Sequence, residues 1–141
     1  MNIKEQVLSI KQVKELQELG FDVRKYATSA VIEAKDGNYY IVDRRLLSIN
    51  MGFMETEVIE YFETLSIGDI MEILPAFIDI PFPAEMKIYP IRYFIDVNKA
   101  GVWYYNNDSE SSLISFLKTN IINSLFEILK WCIKNKHIQC Q

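Results

Sequence analysis

The sequence has few of the residues that mark specialised classes of protein. Of its 141 residues, 2 are Cys, 4 are Pro, 5 are Gly and 1 is His. So little cysteine excludes a disulfide-rich scaffold, and so little proline and glycine exclude a collagen-like or low-complexity chain. The length and the 50% of hydrophobic residues predict a single globular domain over residues 1–141. A chain of this length buries about two thirds of the surface that its unfolded form exposes, so it needs no disulfide or metal for stability.

Long uncharged stretches are also missing. The longest runs from Leu46 to Met54 and has nine residues, whereas a membrane-spanning helix needs about twenty apolar residues. Lys4 and Glu5 interrupt the first residues, which does not fit the apolar core of a secretion signal. We therefore expect no membrane binding and a cytoplasmic location, where Cys132 and Cys140 would be reduced thiols.

Basic residues are absent from the middle of the chain. The formal net charge is -4, and residues 46–86 carry eight acidic side chains and no basic one. This balance disfavours nonspecific binding to nucleic acid or to acidic membranes. The acidic block is either a solvated surface or a docking patch for a basic partner. In the second case the candidate residues are Glu55, Glu57, Glu60 and Glu63.

Catalytic and cofactor signatures are absent as well. The sequence contains no Gly-rich phosphate loop, no Gly-x-Ser-x-Gly and no His-Glu-x-x-His. Cys132, His137 and Cys140 have the side chains that zinc prefers, but a structural site needs four ligands. Cys132 also lies on an apolar helical stripe, where cysteine packs as a small hydrophobe. We therefore predict no catalytic residue, no metal and no cofactor.

Three segments have the caps and the apolar spacing of helices. Ser9 and Gln12 form a capping box at the start of a helix over about 10–19, and Gly20 ends it. Ser66 and Asp69 begin a short helix that Pro75 terminates. Thr119 or Asn120 caps a final helix with the strongest apolar stripe.

Two segments predict β-hairpins. The first joins residues 30–34 to 39–42 through Asp36-Gly37, and the second joins 91–95 to 102–105. Residues 112–117 could add a further strand. Residues 53–63 fit a helix or a strand equally well.

The four prolines lie between Pro75 and Pro90, so this segment is predicted to be an extended, rigid connector. It would be a loop over the core or an exposed partner-binding loop, in which Phe77, Ile80 and Phe82 are the candidate contacts. The complete pattern predicts an α+β fold. Its antiparallel sheet would contain the two hairpins and the further strand, with three or four helices packed on one face.

Aromatic residues are frequent in the predicted strands. Alternation sends Trp103 and Tyr105 to one face of their strand and Val102 and Tyr104 to the other, so one pair is expected to face the core. Nucleic-acid-binding modules stack bases on such sheet aromatics. The net negative charge makes nucleic acid the less favoured ligand.

Three segments also carry a resemblance: Val7–Gly20, Leu65–Pro75 and Leu125–Asn135. In these the chain resembles small uncharacterised proteins encoded in bacterial prophages and mobile elements. The resemblance implies an accessory role in a bacterial cell, and it supplies no activity and no site residues.

These observations favour a non-enzymatic protein-interaction or regulatory module with a protein partner. Two alternatives stay open. The first is a nucleic-acid-associated protein, or an antagonist of a basic nucleic-acid-binding partner. The second is a small enzyme of unknown reaction. A homodimer formed through an exposed strand or loop is also compatible with the sequence.

Overall fold

A computed structural model of the protein describes residues 3–81, 90–118 and 120–138, and these residues form an α+β fold. The fold class predicted from the sequence is therefore confirmed. The described residues divide into two compact units, 3–73 and 74–138. Each unit contains one antiparallel sheet, so the two predicted hairpins belong to different sheets. The single domain expected from the sequence stays a prediction.

The first unit contains a three-stranded sheet in the order β2-β1-β3. Two short 3-10 helices, Ile3–Glu5 and Arg44–Leu46, accompany its main elements. Those elements are α1 (Ile10–Glu18), α2 (Val23–Tyr26), β1 (Ser29–Ala34), β2 (Tyr39–Asp43), α3 (Leu47–Gly52), β3 (Val58–Thr64) and α4 (Ile67–Ile73).

Helix α1 has the ends that its sequence predicts. The Ser9 hydroxyl accepts a hydrogen bond from the Gln12 N–H at 3.2 Å, and Gln12 Oε1 accepts one from the Ser9 N–H at 3.0 Å. Gly20 has φ +86°, and the Phe21 N–H donates to the Leu16 carbonyl at 3.0 Å. This left-handed ending returns the buried Phe21 to the helix.

Strand β1 is the centre of the first sheet. Its residues Ala30, Ile32 and Ala34 are fully buried, and the predicted hairpin to β2 is confirmed. The ambiguous segment 53–63 resolves into a turn followed by β3, which pairs with the other side of β1. Pairing with a buried neighbour selects the strand over the helix, because it satisfies the backbone of both strands.

The second unit contains a four-stranded sheet in the order β4-β5-β6-β7 and one helix. Asn120 caps the helix by accepting from the Asn123 N–H at 3.1 Å. The elements are β4 (Phe77–Ile80), β5 (Ile91–Asn98), β6 (Gly101–Asn106), β7 (Ser111–Phe116) and α5 (Ile121–Lys134). The second predicted hairpin and the further strand are thus confirmed.

The predicted connector between Pro75 and Pro90 is wrong for its first part. Residues Phe77–Ile80 form strand β4 and pair with β5 rather than making a loop. The alternation of the segment explains this, since Ile78 is buried while Phe77 and Asp79 are exposed. The rest of the predicted connector, residues 82–89, lies outside the described residues.

Helix α5 packs on β6 and β7, so one face of the second sheet is buried, while Phe77, Arg92 and Phe94 on the other face are exposed. Ile122, Leu125, Ile128, Leu129 and Cys132 are fully buried along the predicted stripe. The short helices α2 and α3 were not predicted. In the described part of the chain, no helix has the length and apolar character needed to cross a membrane.

Candidate functional site

The four candidate glutamates do not share one surface. Glu57 pairs with Lys35 at 3.2 Å. Glu63 accepts a hydrogen bond from Arg24 Nε at 3.0 Å and forms an ion pair with Arg44 Nε at 3.2 Å. Glu60 and Glu63 are three residues apart on a strand, which places them on opposite faces of the sheet. Much of the negative charge expected for this patch is therefore balanced by arginine and lysine.

Glu55 is exposed and borders a cleft of about 390 Å³ in the first unit. The cleft combines apolar side chains from the sheet, Ile32 and Val42 among them, with Asn50 and Met54. The Tyr40 hydroxyl, also in the cleft, donates to Asp36 at a long distance of 3.5 Å. The carboxylates of Asp36 and Glu55 and the Tyr40 phenol are the titratable groups that line this cleft among the described residues.

Two carboxylates lie opposite each other on neighbouring strands of the first sheet. Glu60 lies directly opposite Glu33, and the Tyr39 hydroxyl donates to Glu33 Oε1 at 3.3 Å. The negative charge of Glu33 and this hydrogen bond raise the pKa of the Tyr39 phenol. The arrangement is exposed to solvent, so it lacks the contrast between two environments that acid-base catalysis needs.

The cysteine and histidine candidates are separated by packing. Cys132 is buried, and burial raises the pKa of its thiol to about 11. The His137 ring stacks on Trp131, with 5.1 Å between the centroids, and Cys140 lies outside the described residues. Within the described ranges, no three His, Cys, Asp or Glu residues are grouped so that they could hold a metal ion.

The three apolar candidates, Phe77, Ile80 and Phe82, are not found together on one surface. Phe77 is 41% exposed on the open side of β4. Ile80 is half-buried opposite Ile91, and its position on the strand places it on the same face as the buried Ile78. Phe82 lies outside the described residues. Of these candidates, Phe77 therefore belongs to the open face of the second sheet.

The two faces of the second sheet carry different residues. Val102 and Tyr104 are fully buried on the side of α5, where the Tyr104 hydroxyl lies 4.0 Å from Cys132 Sγ. The alternate residues point the other way. We call this other side the outer face of the second sheet, and its members are Phe77, Asp79, Arg92, Phe94, Asp96, Trp103, Tyr105 and Ser115.

An aromatic row crosses the outer face. Phe77 of β4 is opposite Phe94 of β5, which is opposite Tyr105 of β6. The Phe77 and Phe94 rings are tilted by 59° with 6.0 Å between their centroids, and Phe94 is 53% exposed. Cross-strand aromatic pairs of this kind stabilise a sheet. The remaining exposure of the rings is available to a ligand.

A charged pair flanks this row. Arg92 donates from Nε and from Nη2 to the two carboxylate oxygens of Asp79, at 2.8 and 3.0 Å. The same guanidinium lies 3.8 Å from the centroid of the Phe77 ring. The hydrogen bonds from Arg92 lower the pKa of Asp79. The ring and the carboxylate together thus hold one guanidinium on the sheet.

A cleft of about 490 Å³ borders the outer face and is lined by Arg92, Phe94, Asn106, Asp108 and Ser109. We call the residues 106–109 in this cleft the rim of the outer face. The Asn106 side chain ties the rim to β5, because it donates to the Arg92 carbonyl at 2.8 Å and accepts from the Ser109 N–H at 2.7 Å. The site can therefore stack planar groups on its rings and bind donors through its carboxylates.

Reasoning from the sequence missed most of this face. The sequence predicts Arg92 and Phe94 only as members of a hairpin strand over 91–95, and it assigns Asp96 no role. The signal that could have found them is the repeated order Phe-Ile-Asp at 77–79 and 94–96. Comparison with protein-family models, with curated proteins and with solved structures finds no match.

Proposed function

We propose that the protein is a non-enzymatic interaction module that binds a protein partner through the outer face of its second sheet. The single observation that carries this proposal is the exposed aromatic row, in which Phe77 is 41% and Phe94 is 53% exposed. Large aromatic side chains held on a rigid sheet are the usual centres of binding energy at protein interfaces.

The aromatic row supplies part of the binding energy. Fully covering a large apolar side chain contributes about 1.5–3 kcal/mol, and because only about half of the Phe77 and Phe94 side chains is still exposed, each ring adds about 1 kcal/mol. The rings lose little conformational entropy on binding, because the neighbouring strands and the Arg92–Asp79 pair already hold them. These rings would form the apolar centre of the interface, and the surrounding polar residues would add the remaining contacts.

The charge of the face favours a protein over nucleic acid. Asp79 and Asp96 on the face and Asp108 on its rim stand against the single guanidinium of Arg92. Nucleic-acid affinity depends on neutralising phosphates with Lys and Arg, and these carboxylates would repel them. Nucleic acid, with its bases stacked on the rings, is therefore the second candidate ligand. The nuclease treatment in the experiment below tests for it.

We further propose an accessory or regulatory role for this module in the bacterial cytoplasm, which is what the resemblance stated for the three sequence segments implies. The sequence also supports a role without catalysis, since it contains none of the common catalytic motifs. The acidic residues Glu55, Glu57, Glu60 and Glu63 remain a proposed secondary contact, weakened by the ion pairs of Glu57 and Glu63.

The experiment is an affinity pull-down of the tagged protein from bacterial lysate, with and without nuclease, using two matched variants. Phe94→Thr removes the exposed ring from the outer face. Ile59→Thr removes a side chain that is 61% exposed on β3 of the first unit. We expect a nuclease-resistant partner that Phe94→Thr loses and Ile59→Thr retains. Equal capture by both variants, or release of the partner by nuclease, would overturn the proposal.

A further inference from the structure

The sequence Phe-Ile-Asp occurs twice in the second unit, on adjacent strands. Phe77-Ile78-Asp79 lies on β4 and Phe94-Ile95-Asp96 lies on β5. In each copy the alternation of the strand puts Phe and Asp on the outer face and Ile on the opposite one. The two copies therefore present the same pair of groups, a ring and a carboxylate two residues apart.

The first copy already holds a cation. Arg92 stands opposite Asp79, pairs with both of its oxygens, and stacks on the Phe77 ring at 3.8 Å. This is the geometry in which a planar guanidinium satisfies a carboxylate and an aromatic face together. The first copy shows what the arrangement binds.

The second copy has the same groups, but no cation is paired with them among the described residues. The residue opposite Asp96 is Trp103, and the residue opposite Phe94 is Tyr105. Asp96 is exposed, and among residues 3–81, 90–118 and 120–138 its carboxylate has no hydrogen bond or ion pair. Where the first copy has an arginine from a neighbouring strand, the second has an indole, which is the best cation–π acceptor among side chains.

We propose that Phe94, Asp96 and Trp103 form a receptor for the guanidinium of an arginine on a basic segment of the partner. This inference rests on the proposed function, because it names the chemistry of the partner at the same face. The charge is complementary, since Asp96 is an exposed carboxylate with no ion pair among the described residues, whereas the guanidinium of Arg92 is already paired with Asp79. Arginine suits the site better than lysine, because its flat group stacks on a ring while its N–H groups pair with a carboxylate.

The test uses a defined probe, a twelve-residue peptide with four Gly-Ser-Arg repeats. Matched peptides carry lysine, or the neutral isostere citrulline, in place of arginine. Binding is followed by NMR of the ¹⁵N-labelled full chain, with the Trp103 indole signal assigned through Trp131→Phe. We expect saturable shifts of the Trp103 indole, and an affinity at least about tenfold lower for the citrulline peptide. The lysine peptide should bind several-fold more weakly than the arginine peptide, and salt should weaken both.

Two variants that each remove one negative charge test whether the peptide binds at Asp96. Asp96→Asn removes the proposed carboxylate, whereas Asp22→Asn removes one exposed carboxylate from the first unit that makes no capping hydrogen bond. We expect Asp96→Asn to weaken the arginine peptide about tenfold and Asp22→Asn to leave its affinity unchanged. The amide spectrum of each variant verifies that the fold is retained.

The outcomes separate this inference from the proposed function. If Phe94→Thr loses the cellular partner but the arginine peptide does not shift Trp103, the receptor is wrong while the interaction face stands. If Phe94→Thr also retains the partner, both are wrong. Equal affinity for the citrulline peptide, an equal effect of the two Asp variants, or tighter binding of an oligothymidine would each overturn the guanidinium receptor.

Discussion

The Thr28 hydroxyl donates a 2.7 Å hydrogen bond to Asp69 Oδ1, and the Thr28 backbone N–H donates to Oδ2 of the same carboxylate at 3.2 Å. The Ser66 N–H donates to Asp69 Oδ2 as well, at 3.0 Å. Asp69 is 8% exposed, so its charge is held by these donors rather than by water. One buried carboxylate thereby joins the residue before β1 to the first turn of α4.

Replacing this carboxylate is expected to destabilise the protein. Asp69→Ala removes an acceptor from three donors and leaves them in a part-buried site, which costs about 2–4 kcal/mol in the free energy of unfolding. The control is Glu72→Ala in the same helix, where the side chain is exposed and the change should stay within about 0.5 kcal/mol. Urea unfolding followed by circular dichroism measures both. Equal stabilities of the two variants would show that the Asp69 network is not structural.

The elements that sequence alone predicts are those fixed by neighbouring residues. The capping box of Ser9 and Gln12 and the Asp36-Gly37 turn act over a few residues, and both form as expected. The Ser66-x-x-Asp69 start of α4 also forms, since the Asp69 N–H donates to the Ser66 hydroxyl at 3.1 Å. The additional contacts of Asp69 with Thr28, 41 residues away, have no local signal.

What the sequence could not determine depends on distant partners. Residues 58–64 are a strand because β1 pairs with them, and residues 77–80 are a strand because β5 does. Alternation separated Trp103 from Tyr104 correctly, but the packing of α5 decides which of the two is buried. The candidate site also depends on distant partners, because Asp79 on β4 and Arg92 on β5 meet only when the two strands pair.

The glycine that begins β6 tests the packing of the second sheet. A Cβ atom at Gly101 would collide with the Phe116 carbonyl oxygen and with the Leu117 side chain. Because a backbone oxygen cannot move cheaply, Gly101→Ala should destabilise the protein by about 2 kcal/mol or more. The control is Gly52→Ala, where no atom lies within 4 Å of the added carbon. This control should be neutral or stabilising by up to about 1 kcal/mol.

Thermal unfolding compares the two glycine variants under the same conditions. We expect a lower midpoint for Gly101→Ala and an unchanged or higher one for Gly52→Ala. Indistinguishable midpoints would contradict the close approach of β6 to the end of β7.

The pair Asp43 and Arg45 gives a pH-dependent prediction. Hydrogen bonds from the Arg45 side chain and from its backbone N–H lower the pKa of Asp43 from 3.8 to about 2. The folded state thus favours the ionised carboxylate. The stabilisation from this pair is fully present above pH 4 and is lost as the pH falls through the range from about 4 to 2.

An NMR titration of the carboxyl carbons measures this pKa directly. Arg45→Gln should raise the pKa of Asp43 only part of the way to 3.8, because the backbone N–H of residue 45 still donates to it. Arg24→Gln, which removes a guanidinium that pairs with Glu63 instead, should leave the value unchanged. An ordinary pKa for Asp43 in the unmodified protein would refute the predicted pairing.

The thiol of Cys132 should be chemically inert in the folded protein. It is fully buried, and burial raises its pKa to about 11, so both access and thiolate content are low near neutral pH. In a Cys140→Ser background, alkylation by iodoacetamide at pH 8 should be at least about a hundredfold slower in the folded protein than in urea, where the thiol regains an ordinary pKa of about 8.5. Because the folded state favours the neutral thiol, its stabilising contribution is complete below the unfolded pKa and declines as the pH rises toward 11. Rapid alkylation of the folded protein would show that the thiol is accessible, and it would reopen a nucleophilic role for Cys132.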